Sequence, residues 1–343
     1  MMRKALLGAL VLLGLGCSGG GADDGVTTVT FWQFWPTATV QPLVDAFEAA
    51  NPDIRVELQQ LTWQNGREKI TAAVASGNPP DLCELGTTWF AKFAANGALK
   101  DLTESTQDLR ADYLMWDACT YDGRVMAYPW VTGTRALFYN KALWRDAGLD
   151  PETPPATWAD LLAAASAVHQ PERQIYGYGL NSGERYVQFK KFMPFVWGNG
   201  GDVLSKDGTR CTFNEAPVRE ALAFYLQLKQ ASLLERQEVL DQAFKDGRIG
   251  AMISGAWMLR ILARDVPDLD YGVALVPRPA PGRGTHSSFG AGEMPADFSR
   301  SPPAAAADGL ARYLMAAPQA MAVARAEESV LPAAVGADAD PFF

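Results

Sequence analysis

Histidine is almost missing from this chain. His169 and His286 are the only two in 343 residues, and they stand far apart. Neither lies at a motif, so a Ser-His-Asp arrangement has no seat, and the wide Cys and His spacings give no zinc pattern. No P-loop, no G-x-G-x-x-G after a strand and no G-x-S-x-G elbow at a strand-to-helix turn occurs, which removes the common nucleotide-binding and hydrolase signatures. No cofactor or metal is therefore expected. An excess of cations is lacking too: 30 Lys and Arg stand against 39 Asp and Glu, a formal net charge of −9. That disfavours nucleic acid as a partner, because phosphate binding needs clustered Lys and Arg. There is no repeat of the solenoid type. The apolar run at residues 5–15 is too short to span a bilayer as a helix.

What is present is an ordinary globular composition, 48% hydrophobic and 20% charged, with a length that suits two domains. The N-terminus reads as a targeting segment rather than as structure. Arg3 and Lys4 precede the apolar run, Gly16-Cys17 ends it, and residues 18–25 form a small, polar tether. This resembles a bacterial lipoprotein signal over residues 1–17, in which Cys17 is acylated and anchors the chain to a membrane, although Gly14 stands where the pattern usually has Leu. A plain secretory signal is the other reading. Without Cys17, Cys83, Cys119 and Cys211 are left; three thiols cannot all pair, and a Cys83–Cys119 bridge stays open.

The rest alternates strand and helix signals. Val29 and Phe31 face one way and Thr28 and Thr30 the other, giving a first strand at 26–31 that leaves as a loop at Trp32. A helix at 42–50 stops at Asn51-Pro52, since proline disfavours helical geometry in the residue before it. Ile54, Val56 and Leu58 mark a second strand. A helix at 67–76 ends at Gly77, a strand follows at 81–85, and a helix at 89–96 ends at Gly97. This βαβ order points to a parallel sheet. Thr157-x-x-Asp160 is a capping box for a helix through Val168. Asn214 is expected to cap a later helix. Residues 195–201 read as a loop carrying Trp197, and 301–326 as helical after Pro303.

Residues 121–141, YDGRVMAYPWVTGTRALFYNK, hold two apolar strands separated by the small polar Thr132-Gly133-Thr134. On local pattern this is either a hairpin or a crossover between two lobes. The longer run DGRVMAYPW, TRALFYNKALWRDAGLD and PPATWADLL resembles the sugar-binding solute receptors of ABC importers, the two-lobed extracellular solute-binding proteins (family 1) of the maltose and multiple-sugar type. NPDIRVEL, ASGNPPDL, ANGALKDL and GRIGAMISGAW resemble signposts of the same family in its usual order.

That resemblance implies an α/β, two-lobed periplasmic-binding-protein fold (type II), each lobe a mostly parallel sheet flanked by helices, joined by hinge crossovers. Lobe 1 would take residues 26–132 and 291–329, lobe 2 residues 136–288 and 332–343. Relatives continue with further helices, so the second lobe is expected to be incomplete at its C-terminal end. The implied function is periplasmic or extracellular binding of a carbohydrate and its delivery to an ABC permease, by a lipid-anchored monomer that is not an enzyme. The rivals are a secreted carbohydrate-cleaving enzyme, with Glu84 and Glu293 as its paired carboxylates, and the same receptor taking a polyol, a phosphorylated sugar or a peptide.

Sugars present C–H faces that stack on aromatic rings and hydroxyl rims that need donors and acceptors. By resemblance Trp257 is the stacking ring, at the end of its Gly-x-Trp run. Trp32 and Trp35 follow the first strand, Glu84 and Trp89 flank the end of the third, and Trp130 and Arg135 border the crossover. Trp197 and Asn199 lie in the matching loop of the second lobe, and Glu293 follows a Gly-rich second crossover. Many relatives carry an acidic or other polar residue where Gly133 stands.

Overall fold

The computed structural model describes residues 25–298, 303–327 and 330–342. The expected targeting segment with Cys17 lies outside the described residues, as does most of the expected tether. The chain builds two sheets with helices packed on them. In the first lobe β1 (Thr27–Gln33), α1 (Thr37–Ala50), β2 (Ile54–Gln60), α2 (Gly66–Ala75), β3 (Leu82–Gly86) and α3 (Thr87–Ala95) follow one another, then the small hairpin β4 (Thr120–Tyr121) and β5 (Arg124–Val125), then β6 (Val131–Gly133). The second lobe holds β7 (Arg135–Asn140), α4 (Lys141–Asp146), α5 (Trp158–Val168), β8 (Tyr176–Asn181), α6 (Arg185–Gly198), α7 (Ala216–Leu228), β9 (Ser232–Glu235), α8 (Gln237–Lys245), β10 (Ile249–Gly255), α9 (Trp257–Asp265) and β11 (Tyr271–Ala274). The chain then returns through β12 (Ala291–Asp297), α10 (Ala304–Met315), α11 (Ala317–Glu327) and β13 (Leu331–Pro332) to the first lobe.

The first sheet runs β13-β6-β12-β3-β1-β2 and the second β11-β7-β10-β8-β9. Both are mixed rather than mostly parallel. β1 is parallel to β2 and β3, but β12, β6 and β13 are antiparallel to their neighbours. In the second sheet β8 is parallel to β9 and β10, while β7 is antiparallel to β10 and β11. The reason is the crossovers: a strand that arrives from the other lobe enters its new sheet in the direction the hinge dictates, not through a βαβ turn.

Several local expectations hold. Thr157 caps α5 in a capping box with Asp160, and Gly77 and Gly97 take positive φ just beyond α2 and α3. Others do not. Trp32 and Gln33 continue β1, because β2 pairs with them as far as Gln60. Residues 195–198 are the last turn of α6, which accommodates Pro194; their apolar side chains are drawn onto the second lobe's core. The cap before α7 is Glu215 rather than Asn214, and its side chain makes no capping bond. Cys83 and Cys119 are free, buried thiols, and the Cys119 thiol contacts Met294 Sδ at 3.3 Å.

The sequence places residues 332–343 with the second lobe; their described part is bonded to the first. Leu331 and Pro332 pair with Thr132 and Val131, Ala333 N–H donates to Trp130 O at 2.8 Å, and Leu114 N–H donates to Ala333 O at 2.8 Å. The short edge strand β6 offers main-chain groups that this tail satisfies.

Candidate functional site

The chain passes between lobes at Thr134 and through residues 275–290. Ser288 ties the two passages together: its hydroxyl accepts from Arg135 N–H at 3.1 Å and from the Thr134 hydroxyl at 2.9 Å. The lobes also touch across the cleft. Arg67 Nη1, on α2, donates to the Tyr186 hydroxyl on α6 at 2.5 Å. Arg260, on α9, pairs with Glu327 of α11 at 3.0 Å and donates to Ala326 O at 3.2 Å.

The first lobe supplies carboxylates and rings. Glu84 lies in β3 with no exposure. One of its oxygens accepts from Phe34 N–H at 2.8 Å, and the other has no partner. Burial, then the negative charge of Glu293, push its carboxyl well above the usual range. Glu293 pairs with Gly86 and Val131 in the sheet, so residues 209 positions apart in the chain come to share one sheet end. Gln33 follows the β1–β3 register beside Glu84; it is fully buried, and both atoms of its amide are unpartnered. The indole N–H groups of Trp35 and Trp130 and the Thr87 hydroxyl are likewise buried without partners. Phe34, Trp63 and Trp89 form a ring cluster: Phe34 stacks on Trp63 at 4.2 Å, and Trp89 meets Phe34 at 5.6 Å and Trp63 at 5.1 Å.

The second lobe supplies cations. Arg135 opposes Gly255 in the sheet, and its guanidinium lies 4.5 Å over the Trp257 ring. That ring fills the space a Cβ at Gly255 would need, 1.8 Å from its nearest carbon; only glycine admits this close approach. Burial lowers Arg135 to about 10. Lys190, on α6, sits 5.8 Å above the Phe289 ring. Burial, then the Arg135 charge, lower its ammonium to about 8, with Glu293 opposing. Behind them Lys191 is buried with its ammonium unpartnered. It is lowered to about 8, by burial first, and faces the charges of Asp241 and Glu184. Asp241 is raised to about 6 by burial, against Lys191, the Gln237 amide at 2.6 Å and the Trp257 indole.

Of the residues singled out in the sequence, Arg135, Trp257 and Glu293 come together near the crossovers, Glu84 lies beside Glu293 in the first sheet, and Trp89 packs on Trp63. Trp32 turns to the other face of β1, against the α2 side, with the Lys69 ammonium 5.0 Å from its ring. Trp130 is fully buried in the core of the first lobe and Trp35 packs beside it. Trp197 stacks on Phe289 at 5.9 Å and donates to Asp202 at 3.1 Å. Asn199 is occupied at the C-terminus of α6, donating to Pro217 O and Glu220, both at 2.9 Å. Sequence reasoning missed Trp63, Lys190, Lys191, Asp241 and Tyr186. Trp63, exposed beside a Gly-containing turn, carried a legible signal; the lysines carried none, since charges on a helix normally face water.

Near the paired crossovers the first lobe thus brings buried, unpartnered polar groups and a ring cluster, and the second lobe brings cations set over aromatic rings. Among the described residues no cluster of His, Cys, Asp or Glu is arranged to hold a metal. A profile of the family described as bacterial extracellular solute-binding protein matches residues 35–317. The diacetylchitobiose binding protein DasA of Streptomyces coelicolor is 27% identical over 309 residues, 81% of this chain and 70% of that protein. The sn-glycerol-3-phosphate-binding periplasmic protein UgpB of Escherichia coli is 25% identical over 288 residues, 77% of this chain and 64% of that one. Among solved structures, an ABC transporter solute binding protein from Thermotoga lettingae, bound with alpha-D-tagatose, superposes with a TM-score of 0.79 at 28% identity, covering 91% of this chain and 82% of that one. The two mixed sheets joined by paired crossovers are thus the periplasmic-binding-protein fold, and the chain belongs to the bacterial extracellular solute-binding proteins, receptors that hold a solute and are not enzymes.

Proposed function

We propose that this protein captures a carbohydrate between its two lobes and presents it to the permease of an ABC importer. The observation that carries this reading is the set of buried, unpartnered polar atoms at one end of the first sheet: both atoms of the Gln33 amide and one Glu84 oxygen. A buried polar group without a partner costs about 1–3 kcal/mol, so a ligand that supplies alternating donors and acceptors is favoured there. Hydroxyls do both, and the rings of Trp63, Trp89 and Trp257 stand beside them for the C–H faces. Lobe closure about the paired crossovers would bury the solute. The similarity to proteins named for diacetylchitobiose and bound with tagatose supports the same class.

A thermal-shift and calorimetric screen against neutral and acidic mono- and oligosaccharides tests this. Saturable binding without product release is the expected result; a solute that binds only the folded state at a hundred times its Kd adds about 2.7 kcal/mol of stability. Release of shortened sugars, or no shift with any carbohydrate, would count against it. We further propose that Cys17 carries the lipid anchor. Cys17→Ser is expected to move the protein from the membrane fraction to the soluble one, since it removes the thiol that would be acylated; continued sedimentation with membranes would overturn this.

A further inference from the structure

The two second-lobe cations nearest the crossovers are not balanced by protein charge. Arg135 begins β7, and its backbone N–H is held by Ser288. The next residue, Phe289, carries the Lys190 ammonium over its ring. The hinge passages therefore bring the guanidinium and the ammonium to one wall of the cleft. Opposite them stands Glu293, on the strand that follows Phe289. Among the described residues neither cation makes an ion pair within 4.0 Å. Both lean instead on rings, Arg135 on Trp257 and Lys190 on Phe289. Lys191 does not add to this excess, because Asp241 and Glu184 answer it on the inner side of α6. Arg67, at the rim, is paired with Glu68. The wall thus holds two cations against Glu293, whose neighbour Glu84 is pushed well above the usual carboxylate range by burial and by Glu293, in a place that burial has already made costly for charge. Neutral hydroxyls can accept hydrogen bonds from these groups but leave the charge unbalanced. An oxyanion supplies both the acceptors and the missing charge, with the planar guanidinium suited to two-point contact and the ammonium acting as a point charge.

We propose that the solute received by this cleft carries an anionic group, a phosphate ester or a carboxylate, seated between Arg135 and Lys190. This deepens the carbohydrate reading and rests on it. The group would leave the uncharged part of the solute to the polar floor of the first lobe and to the rings.

Matched ligands test it: a neutral sugar, its phosphate monoester and its uronic acid, with inorganic phosphate alone, titrated by calorimetry into the full chain at low and high salt. One acidic member, ester or uronate, is expected to bind at least tenfold tighter than the neutral sugar, and which of the two does so identifies the oxyanion. High salt should narrow the gap. Lys190→Gln, a change on a partly buried helix position, should abolish the preference while the unliganded protein stays folded with a Tm no lower than the parent's, since a costly buried charge is removed; Arg135→Gln should likewise abolish the preference and serves as the second variant. A neutral sugar that binds as tightly as its acidic partners, indifferent to Lys190→Gln, overturns the anionic group and leaves the carbohydrate reading standing. Inorganic phosphate binding as tightly as the sugar phosphate keeps the oxyanion seat but removes the carbohydrate reading. Failure of every member, neutral and acidic, overturns both.

Discussion

Trp257→Ala is expected to weaken solute binding at least tenfold, about 1.4 kcal/mol, with an unchanged far-UV spectrum. The ring lies at the start of α9, immediately after the strand that lines the cleft. It fills the slot left by Gly255 and supports the Arg135 guanidinium at 4.5 Å. Alanine removes an apolar wall and releases Arg135 from its platform. A cation over an indole face contributes about 0.5–2 kcal/mol according to its desolvation, so losing the platform alone approaches the stated effect. Gly255→Ala provides an independent route to the same end. Its Cβ would fall 1.8 Å from a ring carbon, and a bulky indole cannot yield that space without leaving its place, so affinity should fall similarly with Trp257 still present. Calorimetry with the best ligand of the carbohydrate screen checks both. Undiminished affinity in folded Trp257→Ala protein would remove the ring from the site.

The second large effect is on stability. Asp297, on β12, has no side-chain exposure and neither carboxylate oxygen makes a hydrogen bond. Its nearest cation is Lys100, 3.7 Å away. Burial lifts its carboxyl from the ordinary 3.8 to about 7; Lys100 opposes the rise, and the charges of Asp308 and Asp81 add to it. Tyr128, buried beside it and donating to Asp308, is pushed upward by burial first and then by the same carboxylates. The folded-state value lies above the unfolded one. Its stabilising contribution is therefore full below about 3.8 and is lost as the pH rises to about 7, staying lost beyond that. The loss is on the order of 4 kcal/mol across that interval. Asp297→Asn removes the titration. The variant should match the parent near pH 4 and exceed it by a few kcal/mol at pH 8, read as a higher denaturation midpoint. Equal midpoints at pH 8 would show that the carboxylate stays comfortably charged where it is.

Short-range pattern determined a good part of this protein. The alternation of Ile54, Val56 and Leu58, the capping box at Thr157 and the glycines after α2 and α3 depend on neighbours a few residues away, and each appears where the residues place it. The ordered run of family motifs likewise carried the two-lobed architecture. What local pattern could not determine was which strand meets which. Glu84 and Glu293 become neighbours only because β12 re-enters the first sheet antiparallel to β3, and the tail beyond α11 joins β6 because that strand's edge was unpaired. Burial was equally illegible for single side chains. Trp130 and Trp257 look alike as tryptophans beside short strands, yet one is sealed in a core and the other faces a guanidinium. Lys190 and Lys191 sit side by side on one helix; only the apposition of that helix to the second crossover and to α8 turns two ordinary surface charges into a desolvated pair, because the cost of burying a charge is set by what the rest of the fold brings against it.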